Sequence, residues 1–321
     1  MTILNDLIIK KGAIFVADAH FRRGDSSLLE FLKKIPKGVQ IFLMGDIFHL
    51  LVGSVKSSVN ENFELLDLLY KMSFTNEIIY VEGNHDFGLT AAFMNFIESN
   101  SQKVSNIRIF SYKKQPIILR DYQNNICILA HGDKWISPMY DFYRLFLDSK
   151  ILLFCYKVLD SITFGKFYRR FSHRISKRKV KEFSYFRNDF TNFMQDRISK
   201  YRTFIIEKIL KTQIDSKESI NFCIIEGHFH LGQNLSQTIT LDSNNSQQNI
   251  ESSSQDLNKN PNQDSNKDSN KNQSQDFKKD FKKDFKKDSK KTITIHYNSL
   301  SSQYFHKKYF TLQNCEILQL L

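Results

Sequence analysis

Glu77-Ile78-Ile79-Tyr80-Val81-Glu82-Gly83-Asn84-His85-Asp86-Phe87 decides the fold. Ile78 to Val81 are β-branched or aromatic and read as a short buried strand. A glycine follows, then three polar groups that can bind a metal or move a proton. This is the pattern of an active site built at a strand end. Four other stretches repeat it. Residues 13–17 lead into Asp18-Ala19-His20, and residues 39–44 into Gly45-Asp46. Residues 126–130 lead into His131-Gly132-Asp133, and residues 221–226 into Gly227-His228-Phe229-His230.

Helical spacing of apolar residues predicts helices over Ser26–Lys34, residues 60–72 and Leu89–Ser99. Short strands are expected at 107–110 and 116–119, and strand-like alternation resumes at 291–297 and 309–321. Strands alternating with helices predict a layered α/β architecture in one domain over 1–321.

The strand ends collect Asp18, His20, Asp46, Asn84, His85, His131, His228 and His230. An i, i+2 pair just past a strand can aim two side chains at one point, which suits Asp18/His20 and His228/His230. Glycines at 45, 83, 132 and 227 relax the backbone where it turns sharply. Carboxylate, amide and imidazole donors without thiolate suit Mn²⁺, Fe or Zn²⁺ in a catalytic site. The donors suffice for two divalent ions if one carboxylate bridges. Any one of these residues alone has an ordinary reading as a turn or a hydrogen-bonded polar group; the repetition at five strand ends is what points to metal. His49 is left with the ordinary reading.

The net charge of +12 is uneven. Residues 134–211 carry 18 Lys/Arg against 7 Asp/Glu, and 18 aromatics fall between Trp135 and Phe204. The segment is too long for a simple connection and reads as an inserted helical cap that meets something anionic. Arg169, Arg170, Arg174, Lys177 and Arg178, with Lys179, form its densest basic cluster, interleaved with Phe164, Phe167, Tyr168 and Phe171. Residues 242–291 are dominated by Asn, Ser, Gln, Asp and Lys, with Asp-Phe-Lys-Lys repeated at 276–287. That composition cannot bury a core, so a disordered insert within the terminal strands is expected. Cys127, Cys155, Cys223 and Cys315 are scattered and form no CxxC. They are expected to be buried thiols in a reducing cytoplasm. The first eleven residues have no apolar signal-peptide core, and no apolar run is long enough to span a bilayer.

Asp-x-His at 18–20, Gly-Asp at 45–46, Gly-Asn-His-Asp at 83–86, His-Gly at 131–132 and Gly-His-x-His at 227–230 resemble, in order, the motifs of the calcineurin-like metallophosphoesterase superfamily. The resemblance implies a double β-sandwich flanked by helices. It implies that Asp18, His20, Asp46 and His230 hold one metal, and that Asp46 bridges to a second held with Asn84, His131 and His228. His85 would be the general acid, oriented by Asp86. Within the superfamily, Gly45-Asp46-Ile47-Phe48, Asn84-x-Asp86-Phe87 and the basic helical insertion are similar to the UDP-2,3-diacylglucosamine hydrolases of lipid A synthesis. Those enzymes carry arginine where this chain has His85, and they lack the Asn/Lys-rich tract. The likeness implies a nucleotide-linked glycolipid substrate, an anionic membrane surface and a peripheral cytoplasmic location; no protein partner is inferred. Basic and aromatic residues also serve single-stranded nucleic acid, so a nuclease is the alternative. A non-enzymatic scaffold is disfavoured because no ligand position has been lost.

Overall fold

Three strands with no polar residue, Ile14–Val16 (β2), Ile41–Leu43 (β3) and Ile78–Val81 (β5), run parallel at the centre of one sheet. Strands buried on both faces read as unbroken apolar runs, which is why these three lack alternation. The computed structural model describes residues 3–99, 105–177, 187–210, 219–241, 249–256, 291–306 and 308–320. Before β2 runs Ile8–Ile9 (β1). After β3 come Leu51–Val52 (β4) and, past β5, Asp86–Phe87 (β6), which pair with each other. Ile107–Phe110 (β7), Ile117–Asp121 (β8), Ile126–Ala130 (β9), Ser219–Glu226 (β10), Gln233–Leu241 (β11), Asn249–Asp256 (β12), Lys291–Ser299 (β13), Tyr309–Gln313 (β14) and Glu316–Leu320 (β15) complete the strands.

The first sheet has the order β15-β14-β2-β3-β5-β7 and the second β1-β8-β9-β10-β13-β11-β12. They face each other across one apolar layer, in which Phe15, Phe42 and Ile79 meet Leu119, Leu129 and Ile225. Helices Ser26–Lys34 (α1), Phe63–Met72 (α3) and Leu89–Ser99 (α4) cover the outer face of the first sheet through Leu28, Leu32, Leu65, Leu69 and Phe93. The expected double sandwich flanked by helices is the observed α/β architecture.

Four features depart from the sequence reading. The helix expected over 60–72 is two, Lys56–Glu61 (α2) and α3, separated at Asn62. There the backbone leaves the helical region and the side chain donates instead to Leu50 O at 2.9 Å. The expected cap at 134–211 divides. Pro138–Leu147 (α5), Lys150–Ile162 (α6) and Lys166–Ser176 (α7) lie over the strand ends, whereas Arg187–Ile205 (α8) covers the outer face of the second sheet. Met194, Ile198, Tyr201 and Ile205 follow helical spacing, and that stripe sends α8 to the core. Within the tract expected to be disordered, 249–256 forms β12, paired antiparallel with β11 through backbone bonds that its polar sequence does not announce. The rest of that tract, 242–248 and 257–290, lies outside the described residues. Of the cysteines, Cys127, Cys223 and Cys315 are buried, but Cys155 sits on an exposed face of α6. Among the described residues no helix is long and apolar enough to cross a membrane.

Candidate metal centre

The five motifs meet because they leave the same ends of two facing sheets. Asp18 and His20 follow β2, Asp46 follows β3 and Asn84 and His85 follow β5. From the other sheet, His131 follows β9, and His228 and His230 follow β10. Asp18, His20, Asp46, His228 and His230 all have left-handed backbone, φ between 45° and 57°. A non-glycine residue in that region is uncommon, and five at one place concentrate backbone strain at the site. The glycines divide by cause. Gly45 and Gly132 have positive φ. Gly83 and Gly227 do not; a Cβ there would strike the carboxylates of Asp46 and Asp18, so space and not turning requires them.

Two ligand clusters result, each with donor atoms within 4.8 Å of one another: Asp18, His20 and His230, and Asp46, His131 and His228. Asn84 Oδ1 is 3.2 Å from His131 Nε2, which places the amide beside the second cluster. His228 Nδ1 lies 3.2 Å from the same nitrogen. Burial alone would raise the Asp46 carboxyl; His131, His85, His20 and His228 outweigh it and hold Asp46 well below the usual carboxylate range. Burial disfavours a charged His131, but Asp46, Asp133 and Asp18 raise it to about 9. Burial pulls His20 and His228 well below their ordinary value. Imidazoles, carboxylates and an amide converging at one place fit a cation. Asp18 Oδ2 and His20 Nδ1 are buried without a hydrogen-bond partner among the described residues, which fits direct coordination. Metal uptake would displace the proton from His131.

His85 lines the cleft with its ring centroid 5.0 Å from that of His20. Its Nδ1 bonds the His49 carbonyl at 2.7 Å, so the ring is oriented by backbone. Asp86 therefore does not orient it. The Asp86 carboxylate is fully buried and accepts from Asp46 N (3.1 Å), Ile47 N (2.6 Å), Phe48 N (3.2 Å), Gly83 N (2.8 Å) and Tyr80 OH (2.7 Å). Five donors on one carboxylate tie the Gly-Asp loop to the Gly-Asn-His-Asp loop. Asp86 is the clasp between two ligand loops, and no capacity remains for His85.

Three residues outside the motifs complete the surroundings. His49, given the ordinary reading, stands with His20 and His85 in a third cluster within 4.8 Å. Burial first, then Arg22 and His85, lower it to about 4, so it is neutral. Arg144 of α5 donates to Asp133 at 2.7 Å and to Gly83 O at 2.7 Å, all fully buried. Arg197 of α8 pairs with Glu226 and donates to Gly132 O (3.2 Å) and Lys134 O (2.8 Å). Helices α5 and α8 of the long insertion thus brace the His131 loop. Pairing cannot be read from single arginines in a basic run, which is why the sequence did not reveal them.

A cavity of about 660 Å³ runs from His20, Asp46, Asn84, His85, His228 and His230 to an apolar wall. That wall is Leu50, Val52, Val55 and Phe87 from the body, and Tyr143, Leu147, Tyr156, Phe167, Tyr168, Phe171 and Ile175 from α5, α6 and α7. Of the basic cluster, Arg174 lines this cavity and Arg169 a neighbouring one. Arg170 and Lys177 are exposed and line neither, and Arg178 and Lys179 lie outside the described residues.

Residues 13–191 match the family model described as calcineurin-like phosphoesterase. No curated protein matches the chain. The matched span contains the first four motifs; the His228 and His230 pair lies beyond it.

Proposed function

The chain belongs to the calcineurin-like phosphoesterase family and is a metal-dependent hydrolase, and from that premise we propose that it cleaves the pyrophosphate bond of UDP-2,3-diacylglucosamine. The products are UMP and 2,3-diacylglucosamine 1-phosphate, and the reaction takes place at the cytoplasmic face of an anionic membrane. The observation that carries this reading is the cavity joining the ligand residues to the apolar wall of α5, α6 and α7. A diphosphate joined to acyl chains needs both halves; the aliphatic Leu50, Val52, Val55, Leu147 and Ile175 of that wall suit acyl chains, whereas nucleic-acid bases would use its aromatic rings. The outer surface of the same helices supports the membrane. Met139 (77% exposed), Phe142 (67%), Ile151 (78%) and Phe164 (84%) face outward. Exposed Lys150, Lys157, Lys166 and Arg170 lie among them. Apolar anchors rimmed by cations suit an anionic leaflet.

Asp18, His20, Asp46 and His230 would hold one divalent ion, and Asp46, Asn84, His131 and His228 a second, with Mn²⁺ the expected metal. Such a pair, when bound, supplies activated water and charge at the phosphate oxygens. The rest of the work falls to the chain. Left-handed loops fix the ligands before substrate arrives, so little reorganisation is needed. His85, with Nδ1 engaged by the His49 carbonyl, has Nε2 left to pass a proton to the leaving phosphate oxygen as the P–O bond breaks. The apolar wall keeps bulk water from the acyl-bearing side. The test is turnover of UDP-2,3-diacylglucosamine by pure, Mn²⁺-loaded protein, beside single-stranded DNA. Release of UMP is expected. DNA cleavage without UMP would replace this reading with the nuclease.

A further inference from the structure

Beside the metal cleft lies a second cavity of about 320 Å³ that shares His49 and Leu50 with it. Its walls bring Arg22 and Arg23 from the loop after β2 together with Arg169 from α7. The placement follows from backbone pairing. His20 N and Phe21 N donate to Asp46 O and Ile47 O, and Phe21 bridges Phe48, so Arg22 is carried alongside His49. Arg22 Nη2 rests 3.2 Å from His49 Nε2 and 3.5 Å from Nδ1. Arg22 Nε is buried with no hydrogen-bond partner among the described residues. Among those residues, none of the three guanidinium groups has a carboxylate within 4 Å. The cavity's own acid, Glu61, accepts from Ser172 Oγ at 3.0 Å.

Three guanidinium groups around one recess repel one another, and a half-buried one with an unused N–H is costly to keep. A protein keeps such an arrangement at a stability cost, which an arriving anion offsets. Guanidinium forks match phosphate oxygens in shape and charge. The position defines which phosphate. The His49 ring centroid is 6.0 Å from that of His20, a candidate metal ligand, and Arg22 lies immediately beyond. We propose that Arg22, Arg23 and Arg169 form a second anion subsite that holds the phosphate of a diphosphate ester not held at the metal ligands. This subsite selects diphosphate esters over simple phosphodiesters. The inference rests on the pyrophosphohydrolase reading for its substrate, but its test does not. Because Arg169 stands on α7, the subsite closes between the body and the cap.

The test uses the full-length, metal-loaded chain hydrolysing bis-p-nitrophenyl phosphate at one fixed free Mn²⁺ concentration. Inorganic pyrophosphate and orthophosphate serve as competing inhibitors. Pyrophosphate should inhibit the wild-type chain at a concentration about tenfold below orthophosphate, the worth of one additional charge-assisted contact set. Arg22→Ala and Arg169→Ala should each pull that ratio down about fivefold or more, and Lys71→Ala on the exposed face of α3 should keep it. Arg169 is exposed, so its variant gives a reading even if the Arg22 variant folds poorly. A wild-type ratio near one, or an unchanged ratio in both arginine variants, overturns the subsite. If the ratio collapses in the variants while UDP-2,3-diacylglucosamine is not turned over, the subsite stands and the lipid reading falls. If the lipid is turned over with the same KM in both variants, the subsite falls and the lipid reading stands.

Discussion

The ligand loops and the cap lie against the same cavity and are held by opposite means. At the loops every element is over-determined. Asp86 alone accepts five hydrogen bonds, and left-handed residues are pinned between two sheets. The cap is held at its inner edge by one apolar cluster, in which Leu153, Tyr156, Tyr168 and Ile175 pack on Leu50, Val52, Val55 and Phe87, and by a few polar contacts. Examples are Ser57 N to Asp160 at 3.0 Å, Tyr168 OH to Leu50 O at 3.2 Å and Ser54 Oγ to Leu153 O at 3.2 Å. Its outer face leaves large apolar side chains in solvent. The difference gives rigidity to the ligand loops, where sub-ångström placement matters, and leaves exposed apolar area for the recognition proposed above. Arg144 on α5 joins the two regions, pairing with Asp133 in the His131 loop and donating to Gly83 O in the Gly-Asn-His-Asp loop.

Changes in either region should therefore have different signatures. The largest effect belongs to the loops. Asp46→Ala should cut hydrolysis of any phosphodiester by at least about a thousandfold, because the His131 and His228 cluster loses its carboxylate and, with it, the bridge proposed between the two ions. Hydrolysis of bis-p-nitrophenyl phosphate measures it, and retention of a tenth of the activity would break the comparison. Next is the joint. Arg144→Ala leaves Asp133 buried without its partner, and a loss of about 3–5 kcal/mol in denaturant unfolding is expected. Then the cap: replacing Phe142, Ile151 and Phe164 together with serine should weaken binding to phosphatidylglycerol vesicles by on the order of a hundredfold. Metal content should be unaltered, which separates recognition from chemistry.

The smallest effect sharpens the picture of the loops. Glu82, behind the Gly-Asn-His-Asp turn, is buried, and burial and then Asp148 raise its carboxyl from 4.5 to about 8. Between those values the unfolded chain binds fewer protons than the folded one, so this group makes stability fall as pH rises. Glu82→Gln keeps the shape and removes the titration. Its melting temperature should decline less between pH 5 and pH 8 than that of the wild type. An identical decline would show that Glu82 titrates normally.

Much of this site was legible because metal ligands at strand ends leave a local signature: an apolar run, a glycine and a donor within a few residues. The helices at 26–34 and 89–99 were legible by the same local logic. What the sequence concealed depends on partners far apart in the chain. His49 joins the site through the pairing of Phe21 with Phe48. Asp86 changes from orienting His85 to clasping two loops because the amides of residues 46–48 come to it across the fold. The split of 134–211 was hidden because the apolar stripe of α8 is diluted by aromatics and cations. Likewise β11 and β12 carry few apolar residues and are held by backbone ladders.

The proposed chemistry needs both ligand clusters occupied, with Asp46 of one bridging to the ion held by the other. Metal analysis of the full-length chain, reconstituted with Mn²⁺ and freed of excess, tests that directly. Two ions per chain are predicted. A wild-type chain that saturates at one ion or none would contradict it.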